Sequence, residues 1–205
     1  MITYDVLEIM IKTHQVMPYK PGQRVLLDYK DPGQQVKRAY SIVKYDSGDR
    51  GCEFTLAIKL LEWGKWSSYL RNMTTGDSIE VVGIFGHFFL QDTGNPKVFI
   101  GTGTWLVPLI AMANATYSPK KLYFSVSYKA DLFYLDRIHD IPNLEYHIHV
   151  SREQVPWCEP GRINLSAEEF PEDTEFYICG GPAIVTDIAD ILQQRGFKNI
   201  YTEKY

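Results

Sequence analysis

The sequence predicts a two-domain protein: a small antiparallel β-barrel followed by an α/β domain built on a parallel sheet. Three observations predict it. Residues 1 to about 92 carry short runs of alternating apolar and polar residues separated by turn sequences. From Pro96 onward the rhythm changes to strand, helix, strand, helix. The length of 205 residues suits two domains of about 100 residues each. The expected boundaries are 1–92 and 96–205, with "QDTGNP", 91 to 96, as the linker.

In the first half the strand-like runs are "DVLEIMI", "QRVLLDY", "RAYSIVKY", "CEFTLAIKLL" and "SIEVVGIF". "KPGQ", "DPGQ", "DSGDRG" and "TTGD" supply glycine and proline where the chain has to reverse. One short helix is expected near "SSYLRNM", with Ser67 or Ser68 as its cap.

In the second half "KVFIGTG", "KLYFSVSY", "LEYHIHVS", "EFYICGG" and "KNIYTEKY" read as strands. "PLIAMANATY", "LFYLDRIHDI" and the amphipathic "AIVTDIADILQQRG" read as helices. Apolar strands alternating with helices imply a parallel sheet covered on both faces. A helix that begins at Pro108 places proline at its favoured first position and leaves residues 101–107 as a loop. Such a loop lies between a strand's carboxyl end and a helix's amino end, where parallel sheets bind ligands and N–H groups attract phosphate. The full dinucleotide fingerprint is absent, because Leu106 stands where a third glycine belongs.

Composition excludes several classes. Apolar residues make up 45% and charged residues 22%, and the net charge of −4 argues against general nucleic-acid binding. The three cysteines, Cys52, Cys158 and Cys179, form no CxxC pair, so a disulfide scaffold, a zinc site and an iron–sulfur cluster all lack ligands. No signal peptide and no run of about 20 apolar residues is visible, so a cytoplasmic protein with no membrane span is expected. His147 and His149 share a strand face, but no third metal ligand accompanies them and no metal is expected.

Four stretches carry candidate chemistry. Arg38, Ala39, Tyr40 and Ser41 lie on a barrel strand, where alternation puts Arg38 and Tyr40 on one face. That pair suits a phosphate beside a flat ring, and equally an ordinary surface pair. Gly64, Lys65, Trp66 and Ser67 precede or begin the short helix. Ser151 and Arg152, with Arg162 further on, supply a hydroxyl and two guanidiniums fitted to a phosphate monoester. "YICGGP" repeats the pattern of strand, glycines, proline and helix, with Cys179 at the strand's carboxyl end.

The order of these stretches resembles the ferredoxin–NADP reductase family, most closely its bacterial branch. The resemblance runs through "RAYS", "GKWSSYL", "GDSIEVVGIFGHFFL", "GTGTWLVP", "YKADLFYL", "VSRE", "GRI", "YICGGPAIV" and "TEKY". It implies FAD on the barrel and NADP on the α/β domain, with NADPH preferred over NADH. It implies that Arg38 contacts the FAD pyrophosphate, Tyr40 stacks on the isoalloxazine and Ser41 lies near its N5. Gly64, Lys65, Trp66 and Ser67 would wrap the pyrophosphate. Gly101, Thr102, Gly103 and Thr104 would approach the NADP pyrophosphate, while Ser151, Arg152 and Arg162 grip the 2′-phosphate. Cys179 and Glu203 match residues beside nicotinamide and flavin, and Tyr205 matches the terminal aromatic that covers the flavin. Ser41, Cys179, Glu203 and Tyr205 are thus the catalytic candidates.

The implied reaction moves electrons between NADP(H) and a ferredoxin or flavodoxin by way of FAD, in a protein expected to be a monomer. A flavin reductase, a flavin-binding subunit or sensor without its own NADP reaction, and a purely structural protein remain the alternatives. Three departures stand out. Trp105 replaces a small residue, and its indole is expected to lie aside from the phosphate position. Ser127 stands where the branch often carries a third arginine, with Tyr128 and Lys129 beside it. The barrel's first strand is shortened, which leaves an edge.

Overall fold

The computed structural model describes residues 1–31 and 34–205. The "DPGQ" turn expected at 31–34 centres on Pro32 and Gly33, outside the described residues. The chain divides into two compact units, Met1–Phe89 and Leu90–Tyr205.

The first unit is a barrel-like antiparallel sheet of five strands in the order β1-β4-β3-β2-β5. These are β1 (Val6–Thr13), β2 (Arg24–Asp31), β3 (Gln34–Gly48), β4 (Gly51–Lys59) and β5 (Glu80–Phe85). Strand β3 is the longest and serves both halves of the sheet. Its first part pairs with β2, its second with β4, and an irregularity between Ile42 and Lys44 marks the change of partner. Alternation then points Val25, Leu27, Ile42, Phe54, Leu56 and Ile58 inward, where each is essentially fully buried. Each such side chain contributes about 1.5–3 kcal/mol relative to exposure. Helix α1 (Lys65–Asn72) adds Trp66 and Leu70 to this core. Turns form at "KPGQ", where Gln23 N–H donates to Lys20 O, and at "TTGD", where Asp77 N–H donates to Thr74 O.

The second unit is a parallel sheet of six strands in the order β11-β10-β6-β7-β8-β9. The strands are β6 (Lys97–Thr102), β7 (Lys120–Val126), β8 (Leu144–Val150), β9 (Glu159–Pro160), β10 (Glu175–Gly180) and β11 (Ile200–Lys204). The helices are α2 (Val107–Asn114), α3 (Leu135–His139) and α4 (Pro182–Gln194). The strand order reverses between β6 and β10. The crevice beyond their carboxyl ends is the topological switch point where open α/β sheets bind ligands.

Two expectations need correction, and one element is new. "QDTGNP" is no free linker. Thr93 Oγ1 donates to Glu175 Oε1 at 2.6 Å, and Lys97 Nζ donates to the carbonyls of Thr93 and Asn95, both at 3.1 Å, so the segment is built into the second unit. The helix expected at 132–141 shrinks to Leu135–His139, because Tyr134 adopts the left-handed conformation at φ 58° and blocks extension toward Leu132. Strand β9, only two residues long, carries too little periodicity to be seen in sequence.

Candidate functional site

In the first unit the helix α1 begins on Gly64, and no side chain caps it. The expected serine cap is absent because both serines lie inside the helix. Ser67 turns its hydroxyl to accept from Leu61 N–H at 2.8 Å, and Ser68 N–H donates to Gly64 O at 2.9 Å. A first helical turn carries N–H groups without intrahelical acceptors, so this end presents donors to an anion. The side chains of Trp66 and Ser67 are buried, so their phosphate contacts fall to backbone, while Lys65 in the same turn is exposed.

Beside it on β3, Arg38 is exposed and donates only to the neighbouring Lys37 O at 2.8 Å. Tyr40 is half-buried against the core and lies nearly parallel to Trp66, with ring centroids 6.1 Å apart and planes 24° apart. Burial pushes the Tyr40 hydroxyl pKa far up, against the opposing pull of Arg38, so it stays a neutral phenol. Ala39 is exposed and Ser41 half-buried. Tyr29 and Tyr69 complete an aromatic cluster, stacked at 3.8 Å. Sequence reading missed this cluster, because its members come from β2, β3 and α1. The buried Trp66 indole N–H has no hydrogen-bond partner among the described residues. An uncapped helix start, an exposed guanidinium and a half-buried ring fit a pyrophosphate joined to a flat heterocycle.

In the second unit residues 101–107 are not an open loop. Gly103–Leu106 forms a 3₁₀ turn that runs into α2 at Val107, with Pro108 in its first turn. The two glycines divide the work. A Cβ at Gly101 would lie 2.7 Å from Leu109 Cδ1, so this glycine serves packing. Gly103 sits at φ 54° with open space around it, so this one presents backbone outward. Thr102 closes β6, and its Oγ1 lies against Gly180, where an added Cβ would approach it to 3.1 Å. Thr104 is half-exposed in the turn.

Trp105 does not lie aside from everything. Its ring reaches across to Gly181, where a Cβ would meet it at 3.6 Å, and lies nearly parallel to Tyr205 at 6.4 Å and 15°. The indole therefore covers the "CGGP" side of the switch point. Register places Cys179 between Gly101 and Glu203 on adjacent strands. Cys179 is 1% exposed. Tyr205 donates from its hydroxyl to Glu203 Oε2 at 2.8 Å, and its N–H donates to Gly180 O at 3.3 Å. The sheet thus gathers Gly101, Gly103, Trp105, Cys179, Glu203 and Tyr205 at one end.

The candidate phosphate-monoester residues lie just past two paired strands: Ser151 and Arg152 follow β8, and Arg162 follows β9, which pairs with β8 through Val150 and Pro160. Ser151 N–H and Oγ both donate to Val126 O, at 3.0 and 3.2 Å. Both arginines are exposed, and neither guanidinium has a bonding partner among the described residues. Ser127 O accepts from Arg152 N–H at 3.0 Å, so this position supplies backbone where a third arginine was considered. Lys129 N–H donates to Glu153 Oε2 at 2.9 Å. His147 Nδ1 lies 2.6 Å from Glu159 Oε1, with His149 Nε2 3.3 Å from the other carboxylate oxygen, and no group of three or more possible metal ligands occurs among the described residues.

The chain is similar to several known proteins. Residues 4–90 match the family model described as an oxidoreductase FAD-binding domain. The chain is 28% identical to the toluate 1,2-dioxygenase electron transfer component of Pseudomonas putida, over 92% of its own length and 59% of that protein. It is 28% identical to ferredoxin–NADP reductase B of Sorangium cellulosum strain So ce56, over 91% of this chain and 85% of that one. The fold matches a Neisseria gonorrhoeae ferredoxin NADP+ reductase with bound FAD and NADP at a TM-score of 0.81 and 22% identity, covering 98% of this chain and 92% of that one. No helix among the described residues is long and apolar enough to cross a membrane. With an FAD-binding domain match over residues 4–90 and a parallel unit of the matching topology, the chain is similar in sequence and fold to the ferredoxin–NADP reductase family of flavoprotein oxidoreductases.

Proposed function

We propose that this chain passes electrons between NADP(H) and a separate one-electron carrier of the ferredoxin or flavodoxin type. Residues 1–92 would hold FAD and residues 96–205 the nicotinamide nucleotide. The observation that supports the nucleotide choice is a pair of exposed guanidiniums, Arg152 after β8 and Arg162 after the adjacent β9, with no bonding partner among the described residues. Two cations beside the Ser151 hydroxyl suit the dianionic 2′-phosphate that distinguishes NADP from NAD.

Bound FAD supplies the exchange between two-electron and one-electron transfer. The chain's own residues do the rest. Arg38 and the first turn of α1 neutralise and orient a pyrophosphate, Tyr40 offers a ring face to a heterocycle, and Ser41 offers a hydroxyl beside it. Gly103 and Thr104 bring backbone to the nucleotide phosphates. Tyr205 and Glu203, joined by their hydrogen bond, hold a proton-bearing pair next to the Cys179 strand end.

Mixing the flavin-loaded protein with NADPH and with NADH in parallel, without oxygen, tests the reading. Rapid bleaching of flavin absorbance by NADPH and slow bleaching by NADH is expected. Equal rates remove the NADP assignment. No bleaching with either favours a flavin-binding subunit without a nucleotide reaction, a reading supported by the Trp105 indole over Gly181. Tyr40→Ala is expected to weaken flavin retention on gel filtration or shift the flavin spectrum; unchanged retention and spectrum would remove the ring from the site.

A further inference from the structure

We propose that Glu159, held by His147, is a positioning residue that fixes Arg162 for the 2′-phosphate and so helps select the phosphorylated nucleotide. The inference rests on the nucleotide assignment above. Strand β9 consists of Glu159 and Pro160 alone. Proline donates no backbone hydrogen bond, so the strand is weakly held by its main chain. Its side chain does more. Glu159 Oε1 lies 2.6 Å from His147 Nδ1, and Glu159 Oε2 lies 3.3 Å from His149 Nε2. The carboxylate therefore bonds the His147 imidazole of β8, while His149 lies close by without a hydrogen bond to it. Directly after the clamp, Gly161 N–H donates to Val150 O at 3.1 Å, and Gly161 turns the chain at φ 87° into Arg162. Ile163, buried in the core, anchors the other side of Arg162. Arg162 is thus an exposed residue suspended between two fixed points, and the clamp sets the first.

The charges around the clamp make it sensitive to pH. His147 stacks on Tyr123 of β7 at 4.8 Å and also meets Glu145 at 3.2 Å, which in turn meets Lys121 at 2.8 Å. Glu168, from the segment before β10, lies against the Tyr123 hydroxyl. Burial pulls the His147 pKa down, but the hydrogen bonds and charges of Glu159 and Glu145 outweigh it and raise it above the ordinary value. Burial holds His149 below its ordinary value, so it stays neutral. A raised folded-state pKa means the His147–Glu159 attraction is complete below the ordinary histidine range and fades as pH rises through the raised value. The grip on β9 loosens on the alkaline side.

The test uses the flavin-loaded protein, titrated calorimetrically with adenosine 2′,5′-bisphosphate and with 5′-AMP, which lacks the 2′-phosphate. Between about pH 7 and pH 9 the phosphate remains dianionic, so its own titration does not intrude. The bisphosphate affinity is expected to fall with rising pH while the 5′-AMP affinity does not. Glu159→Gln is expected to weaken the bisphosphate roughly five- to tenfold near pH 7, as part of a charge-assisted contact is lost, and to flatten the pH dependence. In an Arg162→Ala background the same change is expected to do nothing further. A flat wild-type profile, or Glu159→Gln binding like wild type while Arg162→Ala is weakened, overturns the clamp alone. Arg152→Ala and Arg162→Ala both binding the bisphosphate like wild type overturns the nucleotide assignment, and the clamp with it.

Discussion

The two ends of the parallel sheet use their polar residues in opposite ways. At the amino end, Lys97 and Glu175 face each other across β6 and β10, 3.2 Å apart and 0% and 2% exposed. Every charge there is consumed internally. Glu175 also accepts from Thr93 at 2.6 Å and from Tyr177 at 2.8 Å, and Lys97 reaches two backbone carbonyls. On the next strand Lys120 Nζ donates to the carbonyls of Ala113 and Thr116, both at 2.8 Å. At the carboxyl end the same sheet finishes in glycines, threonines and two arginines whose guanidiniums have no partner among the described residues. One end is closed by its own hydrogen bonds and serves stability. The other leaves donors turned outward, and that is the property a binding site requires.

The comparison breaks most sharply at the closed end. Lys97→Ala leaves the Glu175 carboxylate buried without its cation, and a loss of about 3–5 kcal/mol in chemical denaturation is expected. A loss under about 1 kcal/mol would show that Glu175 is reached by water. At the open end the expected loss is in binding. Each arginine contributes about 1.5–3 kcal/mol to a phosphate contact, so Arg152→Ala and Arg162→Ala should each raise the NADPH KM roughly ten- to a hundredfold. The NADH KM and the denaturation midpoint should barely move.

The two glycines of "GTG" sharpen the contrast within a single turn. Gly101→Ala forces a Cβ to within 2.7 Å of Leu109 and is expected to cost about 1–3 kcal/mol of stability by overpacking. Gly103→Ala meets no atom and costs about 1–2 kcal/mol from its left-handed backbone. Its larger signature should be a raised nucleotide KM, measured beside the same denaturation curves. The smallest effect is expected at Trp105. Replacing it with alanine removes an aromatic pair worth about 0.5–1.5 kcal/mol, uncovers Gly181 and should tighten NADPH binding two- to tenfold. A large gain of NADPH reduction from a nearly inactive parent would instead mark the natural chain as blocked at this site.

Much of this was legible in the chain. The strand periods, the glycine–proline turns and the change of rhythm at Pro96 give both sheets, because alternation and amphipathicity are local properties. The two arginines were legible as types, and their distance in sequence hid that they follow paired strands. Ten residues separate Arg152 from Arg162, and only the β8–β9 pairing sets them after adjacent strands. The packing constraint on Gly101 was hidden for a related reason. Leu109, the neighbour that demands a glycine, lies a helical turn and a 3₁₀ turn away. The serine cap failed because Ser67 finds a better acceptor role toward Leu61, six residues back.

By itself the sequence determined the two architectures, their order and the residues available for phosphate and ring recognition. Backbone periodicity and turn chemistry act over a few residues and need no knowledge of the rest. Only the tertiary structure decided which of those residues meet. It placed the Trp105 indole on Gly181 and Tyr205, joined His147 to Glu159, and set the switch point between β6 and β10. Those outcomes depend on strand order and register, which bring distant segments to within bonding distance and which no local pattern encodes.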